Sequence, residues 1–244
     1  MTGLLVVTAL RSEYAALRGQ VPAATLQRCG MGPLKVDQWL PRLAELSPET
    51  VAIAGVGGGL DPSLRPGDIV VASEVRDQYG HITLPAAAPL VAELRSMGLR
   101  VHCGPILSCD HIVTGRERAT LATTGALAVD MESATIVRAL SARGGKDRGG
   151  NERRDTQGRS IEGTDTETAV PVAVVRVIVD TGHQPLNRLA TITSGARALA
   201  VLRRTGPALG RTAELAGPRT VIPAGPPSDR PPRELRGRRI WSTK

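Results

Sequence analysis

Along the chain, short and continuously apolar runs alternate with stretches in which apolar residues recur every three or four positions. The first kind comprises residues 3–10 (GLLVVTAL), 50–56 (TVAIAGV), 69–75, 101–107 and 170–179 (VPVAVVRVIV). Such runs predict strands buried on both faces, as in a parallel sheet. Residues 25–28 and 126–129 add two shorter strands. The second kind predicts helices. Val36, Leu40 and Leu43 mark one over 34–46, where Pro33 suits the first turn and Pro41 predicts a kink or a split. Residues 89–97, 116–123 and 187–203 predict three more, and Met131, Ala134, Val137 and Leu140 put one face of a further helix in the core. After the first strand, Ser12 offers an N-cap to a short helix carrying Glu13, Tyr14, Ala16 and Leu17. Strand and helix alternate throughout. The expectation is a single-domain α/β fold, with a central, mainly parallel or mixed twisted sheet flanked by helices.

Two segments break this rhythm. Residues 141–169 are packed with Gly, Asp, Arg, Thr and Glu and nearly lack apolar side chains, so no packing offsets their ordering entropy. They predict a disordered surface insertion. Residues 217–244 form a Pro-rich tail with seven basic residues (Arg219, Arg230, Arg233, Arg236, Arg238, Arg239, Lys244) against two acidic ones, Asp229 and Glu234. Most of the net charge of +8 therefore lies in a segment expected to be disordered, and the domain is expected to span 1–216. The charge is no sign of a DNA-binding body, and no specific nucleic-acid partner is expected.

Composition narrows the picture further. The chain of 244 residues is 41% hydrophobic but only 2% aromatic and has no Phe, so the core must be aliphatic and a flat ligand is expected to be sandwiched mostly by aliphatic side chains. Cys29, Cys103 and Cys109 form no CxxC pair, which fits buried thiols in a reducing compartment better than disulfides. No apolar run approaches the roughly 18 residues that a membrane span needs, and a cytoplasmic protein is expected.

The candidate chemistry lies where strands end, the edge at which open α/β sheets bind ligands. Glu13, Gly57–Gly59, Asp110, Glu132 and Asp180 all fall there. A carboxylate at Glu132, near the positive end of a helix, offers acceptors to two adjacent hydroxyls such as a ribose diol. Asp130 and Glu132 read equally as residues that stabilise a helix start. Glycines after an apolar strand let backbone N–H groups face a polar ligand, or simply make a tight turn. His111, His183 and Cys109 show no metal-ligand spacing, so neither metal nor cofactor is expected.

Taken together and in order, ALRSEYAAL, CGMGP, AGVGGGLDPSLRPGDIVV, GPILSCDHIV, AVDMESATIV and VAVVRVIVD resemble the nucleoside phosphorylase/nucleosidase superfamily. The wording is most similar to methylthioadenosine/S-adenosylhomocysteine nucleosidases, and GMGP with VDMES to the hopanoid-associated nucleosidases that act on adenosylhopane. The resemblance implies a nucleoside substrate, a homodimer and a role for each matching residue. Asp180 corresponds to the acid that protonates or hydrogen-bonds N7 of the purine. Glu13 corresponds to the residue that positions and activates water. Glu132 corresponds to the carboxylate holding the ribose hydroxyls, with Met131 beside the sugar. Gly58 and Gly59 line the ribosyl site, and Ile112 and Val113 flank the base. The implied chemistry has the logic of an inverting glycosidase, with one carboxyl at the leaving group and one at water. Each proton-transfer role is worth about two to four orders of magnitude in rate. Asp180, following a buried strand, is expected to be desolvated and so to favour its acid form.

Ile53 and Val56 stand where the superfamily's phosphorylases carry phosphate-binding Arg and Ser, which favours water over phosphate as the nucleophile. The expected function is thus hydrolysis of a 5′-modified adenine nucleoside. The alternatives are a phosphate-dependent purine nucleoside phosphorylase, a futalosine hydrolase-type enzyme and a nucleoside-binding protein without chemistry.

Overall fold

The computed structural model describes residues 3–22, 24–85, 87–147, 170–181 and 188–212. The expected tail at 217–244 and His183 lie outside them. So does 148–169, most of the expected insertion.

Among the described residues, eight strands form one sheet: β1 (Leu4–Thr8), β2 (Thr25–Arg28), β3 (Thr50–Gly59), β4 (Ile69–Asp77), β5 (Gly80–Thr83), β6 (Val101–Ser108), β7 (Ala128–Asp130) and β8 (Val172–Thr181). Six helices among the described residues accompany them: α1 (Arg11–Leu17), α2 (Pro33–Leu46), α3 (Ala87–Ser96), α4 (Gly115–Ala122), α5 (Ser133–Asp147) and α6 (Arg188–Gly210). The sheet is mixed. β1 pairs in parallel with β2 and β3, β3 with β8, β4 with β6, and β6 with β7. β3 with β7, β4 with β5, and β4 with β8 are antiparallel. Strands β3, β8, β4, β6 and β7 pair in a closed ring, so those five present no free edge to each other.

Strand alternation sorts most of the apolar side chains into two large cores, and a smaller cluster of Leu60, Leu107, Val113, Leu121 and Val129 lies beside them. Leu5, Val7, Val172 and Val174 pack in one with Val36 and Leu43 of α2 and Ile136, Val137 and Leu140 of α5. Leu4, Val6, Ala173 and Val175 pack in the other with Leu17 of α1, Leu90 and Leu94 of α3, and Ala198 and Leu202 of α6. Both cores are aliphatic, as the lack of Phe requires.

Three local expectations change. Ser12 is not the N-cap: α1 starts at Arg11 after Leu10, whose N–H is taken by the Glu13 side chain, so the hydroxyl is not needed. Pro41 does not split α2, which runs through it to Leu46. The chain does not leave the helix at Ser141 either. Helix α5 continues to Asp147, and the Ser141 hydroxyl donates to the carbonyl of Val137.

Candidate active site

The glycine run 57–59 is not a turn after β3 but its last three residues, hydrogen-bonded between β7 and β8. Its backbone is committed to the sheet, so what glycine supplies there is space. Gly58 opens toward Arg118: a Cβ at that position would lie 2.0 Å from Arg118 Nη2. Gly59 faces the opposite side, as the next residue on a strand must, toward Thr181 and Ile178. It does not line the cavity, which corrects its expected place at the ribosyl site.

The other expected residues come together. Glu13, Gly58, Ile112, Val113, Met131, Glu132 and Asp180 all line one cavity of about 270 Å³. Val113 is buried, whereas Ile112 stands exposed at the rim. A second cavity of about 590 Å³ adjoins it, with Met131 on the wall of both.

Glu13 is 1% exposed. Its Oε2 accepts the N–H groups of Ala9 at 2.9 Å and Leu10 at 2.8 Å, and its Oε1 accepts that of Val56 at 2.8 Å. A carboxylate has about four acceptor sites. Three are taken by backbone donors from β3 and from the junction of β1 with α1, so the group is fixed in place with one acceptor site left.

Glu132 sits between β7 and α5, also buried. Its Oε1 accepts the Gly32 N–H at 2.9 Å and its Oε2 faces Arg176 Nη2 at 3.4 Å. Burial raises its carboxyl pKa, Arg176 pulls it back, and Asp130 adds to the rise; the net shift is upward.

Arg176 is the residue that the sequence reading passed over. It lies mid-strand in β8 and is fully buried. Its Nε donates to Asp130 at 2.7 Å and its Nη2 to the Ser133 hydroxyl at 3.0 Å. Among the described residues, Nη1 has no hydrogen-bond partner. The signal was present, since a lone arginine inside VPVAVVRVIV must find an acidic partner or pay for its burial. Burial disfavours the cation, but Asp130, then Glu132 and Glu13, outweigh it and raise the pKa above the usual arginine value. Arg176 does not line the cavity; it stands behind it. Gly55 keeps this contact open, since a Cβ there would fall 2.5 Å from Nη1 and 2.6 Å from Glu13 Oε1. Asp130 is held in turn by the Ser108 and Ser133 hydroxyls, and the Ala134 N–H donates to Ser108.

At the other end of the cavity, both oxygens of Asp180 are occupied. Arg118 Nη1 donates to Oδ2 at 2.8 Å and Nη2 to Oδ1 at 2.9 Å, a bidentate pair. Asp180 retains 23% side-chain exposure. The side chain expected to be desolvated is thus partly exposed and held by a guanidinium. No sequence signal marked Arg118, because RERAT reads as an ordinary solvated helix face.

His111 at the rim bridges Asp110 at 2.6 Å and Glu117 at 2.8 Å. The Cys29 and Cys109 thiols are buried, and burial pushes each up to about 12, so neither is a nucleophile.

No curated protein matches the chain. Solved structures share its fold. A 5′-methylthioadenosine/S-adenosylhomocysteine nucleosidase of Helicobacter pylori, with butyl-thio-DADMe-Immucillin-A, aligns over 88% of this chain and 97% of its own at 15% identity and TM-score 0.63. The Neisseria meningitidis enzyme of the same name, with methylthio-immucillin-A, aligns over 88% and 98% at 16% identity and TM-score 0.63. Futalosine hydrolase of Helicobacter pylori aligns over 87% and 96% at 15% identity and TM-score 0.60. The phosphorylase superfamily model matches residues 9–146, from Ala9 ahead of α1 into the last turn of α5, and the chain belongs to that superfamily.

Proposed function

We propose that the chain is a nucleosidase that hydrolyses the N-glycosidic bond of a 5′-modified adenine nucleoside. The observation that carries this reading is the convergence of Glu13, Glu132 and Asp180 on one cavity, each held by different partners. Glu13 keeps one acceptor site for a water after its three backbone bonds and takes that water's proton as it attacks C1′. Glu132 accepts from the two ribose hydroxyls. Asp180 marks the base end, with Val113 as an apolar wall. Positive charge developing on the ribosyl ring meets two carboxylates already in position, which is electrostatic preorganisation.

Water rather than phosphate is favoured as the nucleophile. Ile53 is buried in the core and Val56 spends its N–H on Glu13. Arg118, on the cavity wall, and Arg176, behind it, both have carboxylate partners, so neither offers a free bidentate fork for phosphate. A 5′ substituent has room to pass Met131 into the adjoining cavity of about 590 Å³, where Pro33, Leu40, Tyr79, Ala134 and Ala139 supply apolar surface beside Asp37, Asp77 and Arg138. That favours a substituent larger than a hydroxyl: methylthio, homocysteinyl or a longer chain. Tyr79 and Leu34, exposed around that cavity or close to it in sequence, suit a homodimer contact.

A panel of adenosines carrying 5′ substituents of increasing size tests the reading. The expected result is adenine release that rises in kcat/KM from hydroxyl to thioether. Equal kcat/KM across the panel would remove the second cavity from the account. No release from any member would remove the function.

A further inference from the structure

A further cavity, of about 860 Å³, shares no wall residue with either cavity of the candidate active site. Its walls are the loop 65–68 before β4, the turn 98–100 before β6, and one face of α6. Four exposed arginines line it: Arg65, Arg100, Arg197 and Arg204. On α6, Arg197, Val201 and Arg204 are spaced i, i+4, i+7 and so share a face. Ala198, Leu202 and Leu209, on the neighbouring face, pack in the core and hold that face toward the cavity. The two walls meet closely, since a Cβ on Gly67 would lie 3.4 Å from Arg197 Nε.

The only acid among the wall residues, Asp68, is already engaged. It is 3% exposed, and its Oδ2 accepts the Arg65 N–H at 3.0 Å and faces His102 Nε2 at 3.4 Å. Its Oδ1 faces Arg100 Nε at 3.2 Å. Among the described residues, the guanidinium groups of Arg65, Arg197 and Arg204 have no carboxylate partner. Four arginines against one carboxylate leave three positive charges around one concavity. They repel one another in water alone and are favourable around an anion of matching charge.

A guanidinium fork matches the oxygens of phosphate. A single phosphate is too small to reach arginines on both walls of a cavity this size, whereas a short chain of phosphates spans it. Pro66, Leu99 and Val201 add apolar wall for an organic part, and the volume is that of a small-ligand site. We propose that this cavity is a second binding site, separate from the active site, and that its ligand is a small organic polyphosphate. The proposal goes beyond the nucleosidase reading and does not depend on it. The chain's own segment 217–244, with its excess of arginines, is repelled by this wall rather than suited to it.

The test is calorimetric titration of the full chain with inorganic tripolyphosphate, and with orthophosphate for comparison. One tripolyphosphate is expected per chain, bound at least about tenfold more tightly than orthophosphate, because it adds partly exposed ion pairs worth a few-fold each. The affinity is expected to fall as sodium chloride is raised. The double variant Arg197→Gln/Arg204→Gln keeps good helix formers on α6 and is expected to lower the affinity about tenfold. Arg65→Gln, on the opposite wall, is expected to lower it a few-fold. Arg236→Gln/Arg238→Gln/Arg239→Gln is expected to change nothing. Unchanged affinity in the α6 variant overturns the proposal, as does orthophosphate binding as tightly as tripolyphosphate. A loss in the α6 variant with none in Arg65→Gln also overturns it, since the ligand would then lie on the helix and not in the cavity. So does a loss confined to the Arg236, Arg238 and Arg239 variant. Phosphate groups also occur on membranes and nucleic acids. Phosphatidylglycerol vesicles and oligouridylate, at matched phosphate concentration, are expected not to displace tripolyphosphate, and displacement by either overturns the small-ligand assignment.

Discussion

At the scale of single residues, the site is defined by carboxylates whose hydrogen bonds are already spent. Glu13 is the clearest case. In Glu13→Gln the amide nitrogen would face a backbone N–H that now has an acceptor, leaving a buried donor unpaired. That costs about 1–3 kcal/mol. Glu13→Gln is therefore expected to lower both thermal stability and kcat, and a melting curve beside an activity assay checks it; loss of kcat at unchanged Tm would mean that the three backbone bonds are not formed. Glu132 makes the opposite prediction. Its folded-state pKa is raised, chiefly by burial, so the folded chain holds this proton more tightly than the unfolded one. Stability from this group is complete below the unfolded pKa and is lost as pH rises through the folded value. Glu132→Gln removes that loss. Its Tm is expected to fall less than that of wild type as pH is raised from 4 to neutrality, while KM rises because the proposed acceptor for the ribose diol is gone. Parallel Tm–pH curves for the two proteins would contradict the assignment. These carboxylates were legible in the sequence because strand ends are where ligands meet a sheet. Their supports were not: the Gly32, Ala9, Leu10 and Val56 N–H groups belong to the backbone and leave no trace in residue type.

At the scale of elements, the site depends on close approach between β3 and β8. Gly55 on β3 leaves room for Arg176 on β8 and for Glu13 on α1 to converge. The methyl of Gly55→Ala would push on two side-chain ends that are both bonded elsewhere. A displacement of about 1 Å in a reacting group costs on the order of a hundredfold in rate. Gly55→Ala is expected to fold, with a kcat down by about that factor, and near-wild-type kcat would show that the β3–β8 contact is looser than described. Arg176→Met tests the same junction from the other side. It leaves Asp130 and Glu132 buried without their cation, and breaking such a pair costs about 3–5 kcal/mol. A denaturant titration is expected to show a loss of that order. The strands were readable from their apolar runs, and so was the break at Asp130-Met131-Glu132. What the sequence hid was that the glycine run continues β3 as a paired strand, because glycines after an apolar run signal a turn as readily as a tight strand crossing. The continuation of α5 to Asp147 was hidden for a similar reason: its last turns lack the apolar spacing by which a helix is recognised.

At the scale of the whole molecule, five strands closed in a ring place residues from distant parts of the sequence around one cavity. The α/β class, the order of the elements and superfamily membership could all be read from motif order. The ring closure could not, because pairing between β4 and β8 or between β3 and β7 joins segments more than 60 residues apart with no local mark. Among the described residues, no helix is long and apolar enough to cross a membrane. Thiol chemistry reports on the same closed body. Cys29 and Cys109 are buried with pKa values pushed up to about 12, while Cys103 is exposed. A brief treatment of the native protein with an alkylating reagent is expected to add one label, at Cys103, and rapid labelling at Cys109 would mean that the wall of the adjoining cavity of about 590 Å³ opens.

The central claim is that this cavity uses water to cut a glycosidic bond. The most direct measurement is turnover of a 5′-thioether adenosine in ¹⁸O-labelled water, with and without phosphate, followed by mass analysis of the sugar. The account predicts the same rate in both buffers, one ¹⁸O at the anomeric carbon, and no sugar phosphate. Turnover that requires phosphate and yields an unlabelled sugar 1-phosphate would contradict it.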